Sequence, residues 1–297
     1  HVRSEATTRL RGTQIRGGPG HVQCTMTSFS RYIGIDYSGA ATAESPLPGL
    51  RVYAASGVAP PQEIRPQADP RKHWSRRGLA AWLTEKLADG QPTITGIDHG
   101  FSFPLRYFTH HGLAHDWDAF LTDFCVHCPA TRDSITIDAL RSPPDGTLIR
   151  RAGNARWRRM TEVLAGNAKS VFHFGVPGSV AKSTHAGLPW LKDLRDQFGG
   201  RLHAWPFDGW QPPPGVSVIA EVYPALWSGE ISGEGLTGDQ RDALAIAAWL
   251  QRADAKGTLA AALQPKLTQE EKSAAAIEGW ILGVTWSVSP HARWLAG

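Results

Sequence analysis

The sequence is poor in cysteine, with three in 297 residues. So few cysteines do not build a disulfide framework, and the cytosol is the expected compartment. The sequence also lacks an apolar run long enough to span a bilayer, and it lacks an apolar secretory segment. These absences predict a soluble cytoplasmic protein with no membrane partner.

Positive charge is also scarce once the first residues are set aside. The formal net charge is +4, but residues 1–25 contribute +3 through four arginines against Glu5. The rest of the chain carries only +1. A basic surface that binds nucleic acid must therefore be local rather than spread over the whole molecule.

Residues 1–30 differ in composition from the rest of the chain. They are rich in Arg, Thr and Gly, and the run Gly-Gly-Pro-Gly at 17–20 would break a helix. We predict a disordered leader over 1–30, part of which would lie upstream of a natural start at Met26. The alternative is a transit peptide, although the amphipathic stretch typical of one is missing. Residues 31–297 are expected to form a single domain.

The remaining sequence alternates short apolar strands with amphipathic helices. Strands are predicted over 32–36, 51–55, 63–65, 93–98 and 216–223. Helices are predicted from a cap at Ser75 to Leu87, from a cap at Thr237 or Asp239, and after a capping box of Thr268 and Glu271. This order predicts an α/β fold with a mixed sheet flanked by helices. Because about 101–215 is too long for a loop, it predicts an insertion subdomain between the later core strands.

Two predicted strands end in the same tripeptide, Gly-Ile-Asp, at 34–36 and at 96–98. Alternate residues of a strand share a face, so each glycine lies next to its aspartate and is expected to leave open space there. If the strands are parallel neighbours, Asp36 and Asp98 meet at the carboxyl edge of the sheet, where α/β folds place their ligands. The alternative is that each aspartate begins a turn.

Three further carboxylates are candidates for the same site. Asp239 and Asp242 are three residues apart at the start of a helix and so share one of its faces. The alternative for Asp239 is a plain N-terminal cap. Glu221 lies in an otherwise apolar strand, where an acid is costly unless it is paired or metal-bound. The alternative for Glu221 is a salt bridge to an arginine.

Converging carboxylates repel one another, and a divalent cation removes that repulsion. Mg²⁺ or Mn²⁺ prefers such oxygen ligands. Two such ions can support phosphodiester cleavage by activating water and stabilising the leaving oxygen. The residues therefore predict a metal site.

The motifs just described resemble those of the RNase H and RuvC resolvase superfamily. The similar features are Ile-Gly-Ile-Asp on the first strand, an acid on a later strand, and Asp-x-x-Asp-Ala-Leu-Ala-Ile-Ala at 239–247. The span from Tyr32 to about Val284 also resembles a bacterial family described as predicted RNase H-fold nucleases, on segments 96–104, 220–226 and 278–284.

The resemblance implies an RNase H-like core in which four residues occupy the metal-ligand positions: Asp36, Asp98, Asp239 and Asp242. RuvC-like enzymes usually carry Glu on the later strand, where this chain has Asp98. Backbone position or Glu221 would have to offset the shorter side chain. The catalytic set implied on this basis is Asp36, Asp98, Glu221 and Asp242.

A basic segment at 150–159 is the best local candidate for contact with nucleic acid, either DNA or RNA. It holds five arginines, and Arg156, Trp157 and Arg159 combine phosphate-binding guanidinium groups with a stacking surface. The alternative is a solvated helix face. Lys182 is a further candidate for phosphate contact, although residues 178–184 do not match a phosphate-binding P-loop. Cys125 and Cys128 have zinc-ligand spacing but no second pair.

The function predicted from these residues is metal-dependent hydrolysis of nucleic acid. One alternative is a phosphotransferase or ATPase of the sugar-kinase and actin type, in which residues 34–40 would cradle phosphate. Such proteins normally carry two copies of the core, and the sequence contains one. The other alternative is a binding protein without catalytic activity.

Overall fold

A six-stranded mixed sheet forms the centre of the molecule. The computed structural model describes residues 28–67, 73–176 and 178–285, so nearly all of the predicted leader lies outside the described residues. The strands, in chain order, are β1 (Arg31–Asp36), β2 (Arg51–Ser56), β3 (Gln62–Glu63), β4 (Thr93–Asp98), β5 (Leu202–Trp205) and β6 (Ser217–Glu221). Their order across the sheet is β3-β2-β1-β4-β6-β5.

The sheet has an antiparallel half and a parallel half. Strand β2 is antiparallel to both β1 and β3, whereas β1, β4, β6 and β5 run parallel to one another. The prediction of an α/β fold with a mixed sheet is therefore confirmed. The parallel half brings three strand ends, those of β1, β4 and β6, to one edge.

Nine α-helices accompany the sheet within the described ranges. They are α1 (Arg76–Ala88), α2 (Leu105–His111), α3 (Trp117–His127), α4 (Ile137–Arg141), α5 (Met160–Leu164), α6 (Ala181–Phe198), α7 (Gly238–Ala255), α8 (Leu259–Ala262) and α9 (Gln269–Glu278). The predicted caps at Ser75 and Thr268 are present. No helix in the part of the chain described here has the length and apolar character needed to cross a membrane.

Helix α7 packs directly on one face of the sheet because both surfaces carry small residues. A Cβ atom on Gly34 would collide with the α7 backbone at Ala243 and Ala247. A Cβ atom on Gly96 would meet Ile246 of the same helix. The expectation of open space beside these glycines is therefore wrong, since α7 fills it. The two glycines instead allow the helix to approach closely, which fixes the position of its N-terminal turns over the strand ends.

The other face of the sheet is covered by the segment between β4 and β6. Aromatic side chains of that segment, including Phe103, Phe120 and Phe124, belong to one hydrophobic core with Ile35 and Ile97 of the sheet. The predicted insertion also contains β5, which was not anticipated and adds the edge strand of the parallel half. The segment is therefore continuous with the core of the domain.

A candidate carboxylate site at the edge of the sheet

Asp36 and Asp98 lie side by side at the carboxyl edge of the sheet. Strands β1 and β4 are parallel neighbours, and Asp36 is the register partner of Asp98. Both aspartates share a face with Gly34 and Gly96, which is the face that α7 covers. The predicted meeting of the two strand ends is thus present.

Helix α7 brings two more carboxylates to the same edge. Its N-cap is Thr237, whose side chain accepts from the Gln240 backbone N–H in a capping box, so Asp239 is not the cap. Asp239 is exposed, and its carboxylate lies against Gly49 in the loop after β1. Asp242 is half-buried and is hydrogen-bonded to Ser228. Together with Asp36 and Asp98 they form what we call the aspartate cluster.

Negative charge dominates the electrostatics of the aspartate cluster. Burial, followed by the charges of Asp98, Asp239 and Asp242, raises the pKa of Asp36 well above its usual range. Burial and the charge of Asp242 also raise the pKa of Asp98, and burial raises that of Asp242. Arg51 is the cross-strand partner of Asp36, and its positive charge lowers the pKa of Asp36. Arg51 also forms a salt bridge with Glu63, so its charge is shared between the two acids. The four carboxyls therefore repel one another more than Arg51 and Arg241 attract them, and Asp36, Asp98 and Asp242 hold their protons to higher pH than usual.

This repulsion predicts that neutralising Asp36 stabilises the metal-free protein. The pKa of Asp36 is higher in the folded protein than in the unfolded chain. The folded protein therefore loses stability as the pH rises from the pKa in the unfolded chain to the pKa in the folded protein. In EDTA at neutral pH, Asp36→Asn should add on the order of 1 kcal/mol, or about 2–4 °C in Tm. The gain should vanish at acidic pH, below the unfolded pKa. Melting curves recorded across this pH range test the prediction, with exposed Asp145→Asn as the matched control. A lower Tm for Asp36→Asn than for wild type would contradict it.

Glu221 is held in a salt bridge, in agreement with the alternative given for it above. Its register partner is Ile97, so its side chain points to the face of the sheet opposite Asp98. The Arg159 guanidinium donates to both of its carboxylate oxygens, at 2.5 and 2.6 Å, and the Phe101 backbone N–H donates to one of them at 3.1 Å. These bonds match the salt-bridge alternative, and because Glu221 also lines the cavity beside Asp98, its catalytic role stays a prediction. Its charge still contributes to the raised pKa of Asp98.

The basic segment is divided by the structure into buried and exposed residues. Arg159 is 1 % exposed and also donates to Glu162, so its guanidinium is already paired, and its contact with nucleic acid stays a prediction. Trp157 is half-buried and packs against His110 and Phe172. Arg156 is exposed. Arg150 is exposed as well, so the exposed arginine side chains of the segment include Arg150 and Arg156.

Lys182 and Cys128 have ordinary partners. The Lys182 ammonium lies 2.6 Å from Asp138 in an exposed salt bridge. Cys128 is buried, and its thiol donates to the backbone oxygen of His185. Across the described ranges, no group of three or more His, Cys, Asp or Glu side chains forms a ready metal-binding cluster. The carboxylates of the aspartate cluster are close enough to influence one another's pKa values. Their side chains would have to rotate before their oxygens could coordinate one cation.

A cavity of about 200 Å³ opens beside Asp98. Tyr223, Lys169 and His99 also line it. Burial, with the charges of Asp98 and Asp242, raises the pKa of Tyr223, so its phenol stays protonated and can donate. Burial lowers the pKa of His99 to about 4, so its imidazole is neutral at pH 7. The ion pairs of Arg159 with Glu162 and Glu221 line the cavity as well, so Lys169 is the lining cation without a salt bridge among the described residues, and Tyr223 is a neutral donor.

The sequence interpretation missed both Lys169 and Tyr223. Tyr223 lies two residues beyond Glu221, so its closeness to the end of β6 could have identified it. Lys169 lies in a loop, and no sequence motif around it indicates that it lies close to the end of β4. Its place at the cavity depends on the packing of the whole segment between β4 and β6.

Comparison of the chain with protein-family models, with curated proteins and with solved structures found no match.

Proposed function

We propose that this protein is a divalent-cation-dependent nuclease with an RNase H-like core. The observation that carries the proposal is the register pairing of Asp36 with Asp98, combined with the delivery of Asp239 and Asp242 by α7. An antiparallel half of the sheet that continues into a parallel half also agrees with such a core. Four aspartates drawn from two strands and one helix are a donor set that suits Mg²⁺ or Mn²⁺.

The proposed chemistry assigns separate tasks to the residues around Asp98. Asp36, Asp98 and Asp242 would hold the cation, with Asp239 at the exposed end of the set. The cation would supply charge neutralisation and polarisation of a phosphodiester. Lys169 would attract the phosphate into the cavity, and the protonated Tyr223 phenol would donate a hydrogen bond to one of its oxygens. Buried, neutral His99 would form one wall of the cavity.

The loop after β1 argues against the phosphotransferase alternative. Arg76 is 1 % exposed and donates to the carbonyl oxygens of Ser38, Ala40 and Ala41. Gly39 packs so tightly on the backbone at the start of α6 that a Cβ atom would collide with Lys182. The space beside Gly39 is therefore filled by the backbone of α6 and is not open to a nucleotide phosphate.

A panel of single- and double-stranded DNA and RNA, each with Mg²⁺ or Mn²⁺, tests the proposal. We expect wild type to cleave at least one substrate. Asp98→Asn should react at least about 100-fold more slowly, because loss of a residue that binds the cation directly should slow cleavage at least as much as loss of a residue that only supports a ligand. The Asp145→Asn variant, changed at an exposed carboxylate, should cleave at the wild-type rate. An ATP hydrolysis assay runs beside the panel. ATP hydrolysis without nucleic-acid cleavage would contradict the proposal and favour the phosphotransferase class.

A further inference from the structure

Three cavities follow one another from Asp98, each sharing one lining residue with the next. The cavity beside Asp98 shares Gly178 with a second cavity of about 350 Å³. The second shares Phe174 with a third, of about 290 Å³. We call this path, from Asp98 past Gly178 to Phe174, the Asp98–Phe174 groove.

Cationic side chains line the groove along its whole length. Lys169 and Arg159 belong to the first cavity, Lys182 to the second, and Arg141 and Arg151 to the third. Three of the five are paired: Arg159 with Glu162 and Glu221, Lys182 with Asp138, and Arg151 with Asp123. For Lys169 and Arg141, the described residues provide no salt-bridge partner within 4 Å. Because the Lys182 pair is exposed, it contributes little to stability, and a phosphate can take the place of Asp138 at little cost.

The far end of the groove provides a stacking surface. The Arg141 guanidinium lies over the Phe174 ring, with its central carbon 3.4 Å from the ring centroid. Arg141 is exposed, so the outer face of its planar guanidinium is open to a base. Partly exposed Ile149 adds an apolar contact in the same cavity. Guanidinium and aromatic surfaces of this kind bind unpaired bases, because paired bases have their faces covered by neighbours.

From the charge, the stacking surface and the cavity sizes, we infer that the groove binds single-stranded nucleic acid and leads it to the aspartate cluster. The cavities, of about 200, 350 and 290 Å³, lie near the lower end of the size range of small-ligand pockets, about 300–1,000 Å³, which suits one unpaired nucleotide rather than a duplex. This inference names the substrate class of the proposed nuclease and so rests on that proposal. The groove takes in Arg151 and Arg159 of the basic segment at 150–159, but it leaves exposed Arg156 outside its lining.

Binding of fluorescent single strands and duplexes of the same sequence tests the inference, with the full chain in EDTA so that no cleavage occurs. Arg141→Glu and Lys169→Glu should each weaken single-strand binding about tenfold, and each should lower the salt slope by about 0.7. The matched control is Arg201→Glu. Arg201 is also exposed and lies over a phenylalanine, Phe198, but at the opposite end of α6. Its substitution should change single-strand affinity less than twofold.

The outcomes separate failure of the groove from failure of the nuclease proposal. Equal losses in Arg141→Glu and Arg201→Glu, or tighter binding of duplex than of single strand by wild type, would overturn the groove even if the protein cleaves. Groove-dependent binding of single strands by a protein that cleaves no nucleic acid in Mg²⁺ or Mn²⁺ would keep the groove and overturn the nuclease. Melting curves of all the variants exclude misfolding, and the conservative Arg141→Lys should recover part of the lost affinity if phosphate contact is the cause.

Discussion

Replacing Arg159 with methionine should lower the free energy of unfolding by about 3–5 kcal/mol, the usual cost of breaking a buried ion pair from one side. Arg159 is 1 % exposed and donates to Glu162 at 2.9 Å and to both oxygens of Glu221. Burial alone would lower its pKa, but the charges of Glu221 and Glu162 outweigh burial and raise it. Methionine keeps much of the volume and removes the charge, so two buried carboxylates would lose their partner.

Urea unfolding measures this effect, with Arg156→Met as the matched control. Arg156 is exposed and three residues away, so its loss should change stability by no more than about 0.5 kcal/mol. In Arg159→Met, the unpaired carboxylates would have raised folded-state pKa values. The variant should therefore recover stability as pH falls below their folded-state values, a recovery that simple loss of packing would not give. A difference of less than 1 kcal/mol between the two variants would contradict the assignment of Arg159 to the core.

The pairing of Asp36 with Asp98 was predictable because the sequence of each strand indicates both its length and its end. Both strands are short, apolar and end in Gly-Ile-Asp, so two identical endings in a parallel pair must coincide at the edge. The start of α7 was predictable for a similar reason. A capping residue followed by closely spaced alanines indicates both where the helix begins and that it packs tightly on the sheet.

The burial of Arg159 was not predictable from the residues next to it in the sequence. Arg156, Arg158 and Arg159 are close in sequence, yet only Arg159 is buried, because one of its partners, Glu221, is 62 residues away on β6. Strand β5 was missed for a related reason. Four residues give too little alternation to recognise, and its place beside β6 depends on the packing of the whole segment. The cavity residue Lys169 has the same long-range origin.

Asp242→Asn is expected to remove most of the cleavage activity while leaving the fold intact. Thr237 is the cap of α7, so the substitution does not touch the capping box. An asparagine oxygen can still accept from Ser228, and the loss of one negative charge relieves repulsion within the aspartate cluster. Stability should therefore stay within about 1 kcal/mol of wild type. A hard cation needs the lost charge, so the chemical step should slow by at least about 100-fold.

Binding of nucleic acid should survive the same substitution, because the Asp98–Phe174 groove supplies the contacts with phosphates and bases. The effect should thus appear in kcat rather than in affinity. Removal of one negative charge could even tighten binding slightly, since Asp242 lies at the edge of the sheet where the groove begins. The separation of kcat from affinity distinguishes loss of a cation ligand from general damage to the protein.

Single-turnover cleavage of a bound single strand in Mn²⁺, compared between wild type and Asp242→Asn at saturating protein, tests the central claim most directly. We predict rapid cleavage by wild type, at least about 100-fold slower cleavage by the variant, and equal affinity of the two proteins for the strand. Wild-type cleavage that persists at full rate in Asp242→Asn would remove Asp242 from the site and contradict the proposed role of the aspartate cluster.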